Sequence, residues 1–414
     1  MEKQTAVPHP ADGSMAGPTT QAGPVSQAVP VRAAVQVKAA ARLLFVDNIR
    51  VFLTILVIVH HLMITYAGTG DFTYVEGRQD LITNALGGWF CAINQSYFMG
   101  LFLLISAYFV PGSYDRKGPG RFLKDRLIRL GIPLFLYGWV INPLFMYWFF
   151  YQQIGKPFFR FFPGEYLSKG SLIGHGPLWF VEVLLIFSLV YVGCRLLTRS
   201  RPPQPVMEAR FPGNGAIALF ALLLGVAGFL VRIAFPMDGY NFRPLNLQFG
   251  FFAQYIALFV VGLVAYRRNW LLGLPDKTGR LWLGIAVLVI LLWAPMMLFN
   301  GAIDGDLSFK GGWTWQSLLY ALWESFLCLS MCIGVIYAFR RYLNRQGKIA
   351  GFLVPNAYTA YLIHAPVIIT LAYAVRDVML YPLLKWALVG LVAVSLIFGL
   401  SALIRKIPYT DRVL

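Results

Sequence analysis

The chain has 414 residues, of which 58% are hydrophobic and only 13% charged. A soluble domain of this size would carry about a quarter charged residues, so a water-soluble globular enzyme is excluded. The formal net charge of +17 would suit nucleic acid, but the basic residues are gathered into short joints between apolar blocks, which is a membrane topology signal, and no nucleic-acid partner is expected.

Residues 1–42 are rich in Ala, Pro, Gly, Val, Ser and Gln and lack a long apolar run. They are expected to form a disordered tail. The first apolar block begins only near Phe45, without a small-residue cleavage site, and therefore reads as a membrane span and not a signal peptide. Apolar blocks then recur at 45–66, 86–110, 128–150, 178–197, 215–235, 248–266, 281–299, 316–338, 350–373 and 381–404. Each has the length that a helix needs to cross a bilayer with its backbone polar groups satisfied internally. The expected fold is all-α: a polytopic integral membrane bundle of about ten helices over 43–406, followed by a short C-terminal tail at 407–414. No internal repeat is evident.

With the N-terminus inside, the joints 111–127, 198–214, 267–280 and 339–349 become cytoplasmic and hold the basic runs, among them DRKGPGRFLKDRLIR and FRRYLNRQGK. The opposite side holds the acidic joints GTGDFTYVEGRQD and GAIDGDLSFK. The positive-inside rule thus predicts that both termini are cytoplasmic. The longest joint, YQQIGKPFFRFFPGEYLSKGSLIGHG, is expected to hold a re-entrant or interfacial stretch.

The first span, DNIRVFLTILVIVHHLMIT, carries one polar seam. Arg50 and His61 are eleven residues apart, which at about 100° per residue closes to within about 20° of whole turns and separates them by about 16 Å along the axis. Asp47, Thr54 and Thr65 fall on or near the same stripe. Polar groups in hydrocarbon are costly, so such a seam faces partners or a cavity and marks the candidate site. Four of the five histidines, His60, His61, His175 and His364, lie in or beside spans. Glu182 and Glu324 enter their spans from the acidic side, as do Asn94 and Gln95. The plainer alternatives are that His364 is a hydrogen-bonding joint between helices, and that the two glutamates are counter-ions for Arg232 or for each other. Cys91, Cys194, Cys328 and Cys332 have no clustered histidine or acid to complete a metal set, so they read as small buried hydrophobes and no metal is expected.

These motifs resemble the membrane-bound acyltransferase 3 family. Its first-span signature, an Arg, ten residues and a His, is matched by Arg50 and His61 in LFVDNIRVFLTILVIVHHL. YFMGLFLLISAYFV resembles the second-span segment, with Ser106 matching and Ala107 in place of the usual Gly. FLKDRLIRLGIPL matches the Arg-x-x-Arg…Pro element at Arg126, Arg129 and Pro133, and AYTAYLIHAPVI matches a late motif at Tyr361, His364 and Pro366. HGPLWFVEVLL is similar to a further segment, but Gly-Pro intervenes after His175. The motif style is nearest to a branch that succinylates periplasmic glucans.

The resemblance implies an O-acyltransferase of the bacterial inner membrane that takes an acetyl or succinyl group from acyl-coenzyme A. The acceptor is a hydroxyl of a glucan, polysaccharide or glycolipid, and the lipid bilayer and a biosynthetic protein are further partners. Acyl-coenzyme A is a donor substrate; no permanently bound cofactor is expected. A hydroxyl is a poor nucleophile at neutral pH and needs a base, for which His61 is the candidate. Asp47 or Arg50 is expected to organise the cytoplasmic end of the seam. Arg50, Arg121, Arg126 and Arg129 are the candidates for holding donor phosphates, and Glu182 or His364 for orienting His61 or binding the acceptor. The alternative is a proton-coupled secondary transporter of a polar or anionic solute, in which the same histidines would relay protons.

Overall fold

The computed structural model describes residues 43–414 except 71, 77–79, 152–154, 156, 168–175, 199–205 and 240–246. The tail expected over 1–42 and His175 lie outside the described residues. Among the described residues, ten helices are long and apolar enough to cross a membrane: α1 Leu44–Ala67, α2 Leu81–Tyr108, α3 Val110–Phe150, α4 Trp179–Leu197, α5 Asn214–Ala234, α6 Phe249–Arg267, α7 Asp276–Phe299, α8 Trp315–Tyr342, α9 Lys348–Ala374 and α10 Pro382–Ile404. The chain is an all-helical, multi-pass membrane protein.

Local chemistry sets the ends of these helices. The Asp80 side chain accepts from the Thr83 backbone N–H at 3.0 Å and so caps α2, and Thr314 caps α8 by accepting from the Ser317 N–H at 3.2 Å. Gly68, at φ 66, ends α1 in the left-handed conformation that glycine adopts without steric cost, and its N–H returns to the Ile64 carbonyl.

The basic joint expected over 111–127 is helical and belongs to α3. Gly118, at φ 73, and Pro119 divide that helix into two segments meeting at a kink. Beyond it, π-turns at Leu127–Gly131 and Tyr137–Ile141 alternate with α-segments that carry Pro133 and Pro143 in their first turns. A proline has no N–H for the carbonyl four residues back, and the helix widens around the missing bond. Side chains take up the carbonyls left over. The Tyr358 hydroxyl of α9 donates to Arg129 O, four residues before Pro133, and the Tyr166 hydroxyl donates to Gly138 O, five residues before Pro143 and so its partner in a π-turn, at 2.7 Å.

The bundle has central and peripheral helices. The apolar stretches of α1 and α8 are each 72% buried by other parts of the protein, against 28% for α7, so α1 and α8 are central while α7 faces lipid. α1 packs on α2, α8, α9 and α10. Close approach depends on small residues: a Cβ at Gly262 of α6 would stand 2.3 Å from the Leu104 carbonyl of α2. Indole donors tie helices together, with Trp386 Nε1 on Val59 O at 2.9 Å and Trp323 Nε1 on Val289 O at 2.8 Å. Asn48 donates to Leu343 O at 2.6 Å and Arg345 O at 2.8 Å, so the start of α1 and the end of α8 share the basic end of the bundle. Cys91, Cys328 and Cys332 are buried, as expected of small hydrophobes, whereas Cys194 is exposed on the peripheral helix α4.

Candidate active site

The polar seam of α1 is present, and its members divide into two sets. Thr54 and Thr65 are satisfied on their own helix, donating to the carbonyls of Arg50 at 2.9 Å and His61 at 3.0 Å. The side chains at the two ends of the seam reach outward.

At the basic end Arg50 pairs with Asp47 at 3.3 Å, and its guanidinium lies 4.7 Å from the centroid of the Phe109 ring. Arg126 senses both Arg50 and Arg129 as neighbouring like charges. Arg50, Arg126 and Arg129, from two helices, thus come within electrostatic range of one another, with Asp47 paired to Arg50 and Asp125 also within range of Arg126. Asp125 is drawn to Lys117 by a hydrogen bond. Such a convergence is repulsive by itself and favours an anion between the groups. Arg121 is exposed and is not drawn into this set by any described contact.

Toward the other end of α1, His61 meets His364. The helices α1 and α9 lie side by side, and the two histidines stand at nearly equal distances from Leu44 and Lys348, where their helices begin. Their ring centroids are 5.0 Å apart. His61 Nδ1 lies 2.8 Å from Val57 O, and His364 Nδ1 is hydrogen-bonded to Tyr361 O. A carbonyl oxygen only accepts, so in each neutral ring the proton is on Nδ1 and the lone pair on Nε2. His364 is fully buried, and its Nε2 has no hydrogen-bond partner among the described residues. His60 is also buried, 5.7 Å from His61 and 4.9 Å from Phe98 between ring centroids. Of the three, His61 alone is half-buried. The Phe72 ring packs against it, with centroids 4.8 Å apart and the planes tilted by 49°.

Glu182 is buried in the first turn of α4. The described link from that helix to the histidines runs through Phe180, whose ring lies 5.9 Å from Tyr361, itself 5.4 Å from His364. Glu324 proves to be the counter-ion of Arg232, at 2.5 Å. The Arg232 guanidinium also donates to Gly250 O at 3.1 Å, so this cation is neutralised away from the histidines.

A family model described as an acyltransferase domain, that of acyltransferase 3, matches residues 43–405. The chain belongs to the acyltransferase 3 family. Glucans biosynthesis protein C of Salmonella heidelberg (strain SL476) is 25% identical over 351 residues, covering 78% of this chain and 81% of that protein. No solved structure matches. As a member of the acyltransferase 3 family the chain is a multi-pass membrane acyltransferase.

Several residues at the site carry no signal in the sequence. Tyr358 holds the Arg129 carbonyl from across the bundle, and nothing local in α9 announces that pairing. Phe72 lies in a polar joint, where a single aromatic residue is unremarked. Lys385 did leave a trace, as a lone cation within the apolar run PLLKWALVG.

Proposed function

We propose that this acyltransferase moves an acetyl or succinyl group from coenzyme A to a hydroxyl of a glucan or related envelope glycan at the bacterial inner membrane, with His61 as general base. The observation that carries this reading is the tautomer of His61. Its Nδ1–H is engaged by Val57 O, which leaves Nε2 as the basic nitrogen, on the same helix face as Arg50.

In this scheme the donor enters from the basic, cytoplasmic end. Arg50, Arg126 and Arg129 hold its phosphates, and Asp47 keeps Arg50 oriented through their 3.3 Å contact. Arg121, exposed on the preceding turn, meets the donor at the mouth. The thioester then reaches along the seam to His61. His61 Nε2 takes the proton of the acceptor hydroxyl as its oxygen attacks the carbonyl carbon; the carbon–sulfur bond breaks, and the departing thiolate recovers the proton. His364, 5.0 Å away, offers a second Nε2 lone pair to the imidazolium formed in passing. Glu182, buried on α4, is assigned to the acceptor side.

Purified protein in lipid nanodiscs, given acetyl- or succinyl-coenzyme A and a panel of glucans, tests this. Release of free thiol, matched by added acyl mass on the acceptor, should fall by roughly 10²–10⁴-fold in His61→Ala, with the protein still inserted. Full transfer by a folded His61→Ala variant would remove His61 as the base. Absence of coenzyme A binding would remove the donor assignment.

A further inference from the structure

Beyond Ala67 the chain turns back over the end of α1. Gly68 makes the reversal, and the Glu76 N–H donates to the Thr65 carbonyl at 2.8 Å. From Phe72 to Glu76 the residues alternate, with Phe72, Tyr74 and Glu76 half-buried and Thr73 and Val75 exposed. A period of two is that of an extended chain with one face turned to the protein. Each inward residue has its own seat. Phe72 lies on the His61 ring at 4.8 Å, and Tyr74 meets Tyr373 of α9 at 6.0 Å. Glu76 accepts from Lys385 Nζ at 2.6 Å.

Lys385 is unusual. It stands 1% exposed in the apolar helix α10, donating also to Arg376 O at 3.4 Å and lying 5.6 Å from the Tyr66 ring centroid. A buried lysine in a membrane helix requires a partner, and among the described residues the carboxylate that pairs with it belongs to this extended segment.

We propose that residues 72–76 form a strap that shields His61 from water and selects the hydroxyls that reach it, with Phe72 as the specificity-determining residue and the Glu76–Lys385 pair as the positioning clasp. The chemical need follows from the acyl-transfer reading, on which this inference rests for its catalytic arm. A base that activates a sugar hydroxyl activates water equally well. Water attacking the thioester carbonyl would form the carbon–oxygen bond, break the carbon–sulfur bond and release free acid and thiol, wasting the donor. Exclusion of water at the reacting centre prevents this side reaction. An aromatic ring held over the imidazole by a clasp several residues away does so until a bulkier acceptor displaces it.

The test uses the full chain in nanodiscs and has two arms. In the first, thiol release from acyl-coenzyme A is measured with and without acceptor. Phe72→Ala and Glu76→Gln should raise the acceptor-independent rate at least severalfold while transfer to acceptor changes less. The exchanged pair Glu76→Lys with Lys385→Glu should return the partition toward wild type, which a general loss of packing would not. An unchanged acceptor-independent rate in transfer-competent Phe72→Ala overturns the proposal. The second arm is independent of activity. In a His61→Cys background, labelling at that position by a membrane-impermeant thiol reagent should be slow, and much faster once Phe72→Ala is added. Equal labelling rates overturn the strap even if acyl transfer is confirmed; a strong difference upholds it even if no thioester is consumed.

Discussion

Arg50 and His61 owe their alignment to backbone geometry, while their chemistry comes from what the neighbouring helices bring to them. Arg50 is flanked by Asp47 at 3.3 Å and senses Arg126 as a like charge. If the cluster binds donor phosphates, Arg50→Gln removes a charge-assisted hydrogen bond worth about 1.5–3 kcal/mol. The KM for the donor should then rise roughly tenfold or more, with a smaller effect on kcat. Initial rates over a range of donor concentrations separate the two.

A second residue-scale prediction concerns stability. Asp80 accepts from both the Thr83 N–H and its hydroxyl, and these bonds hold its carboxyl below the usual carboxylate range. A group whose folded pKa is depressed contributes stability above its unfolded pKa, and that contribution disappears as pH falls through the folded value. Below about pH 4, the thermal midpoint of the wild type should therefore fall faster than that of Asp80→Asn, which keeps a capping side chain without the titration. Parallel melting curves in the same detergent between neutral and acid pH would contradict the assignment.

Among the elements, α3 shows what sequence patterning does and does not disclose. Apolar run length places the spans well: α1, expected at 45–66, is Leu44–Ala67, and α10, expected at 381–404, is Pro382–Ile404. The charged stretch before Leu127 reads as a loop because Gly-Pro and a run of charges are loop signals, yet it is helical, with the Gly118–Pro119 break inside it. The widened turns around Pro133 and Pro143 depend on donors from elsewhere, which no local pattern can reveal. Tyr358 is the clearest instance. Tyr358→Phe would leave Arg129 O without its described donor, a loss of about 1–3 kcal/mol, and would free the turn that carries Arg126 and Arg129. We expect a lower thermal midpoint together with a raised donor KM and an unchanged acceptor KM. A change in acceptor KM alone would show that Tyr358 acts at the other end of the site.

On the scale of the whole molecule, ion pairs and aromatic contacts lock helices that the chain order keeps apart. The Arg232–Glu324 pair joins α5 to α8, with Arg232 1% exposed and also bound to Gly250 O in the first turn of α6. Removing one partner strands a buried charge, so Glu324→Gln should cost about 3–5 kcal/mol, whereas replacing both, as in Arg232→Met with Glu324→Leu, should cost much less. Unfolding midpoints of the three proteins check this; equal losses would mean that the pair is not coupled. The seam on α1 was legible because helical periodicity is local. The meeting of His61 with His364, of Phe72 with His61 and of Glu76 with Lys385 was not, because each joins residues whose proximity is decided by packing between helices and not by spacing along one.

The placement of Arg50 and His61 on a single uninterrupted helix makes α1 a ruler. Their separation, about 16 Å, is fixed by the backbone, so it does not stretch or shrink when neighbouring helices rock or when the strap lifts. A donor gripped at one mark and reacting at the other must have an arm of that reach. Phosphate-bearing donors with short arms can occupy the arginines without presenting an acyl group to the imidazole, and short thioesters can reach the imidazole without the grip. If Arg50 grips the donor and His61 is the base, as proposed, selection for a long donor is written into the pitch of one helix, upstream of any choice made by the acceptor.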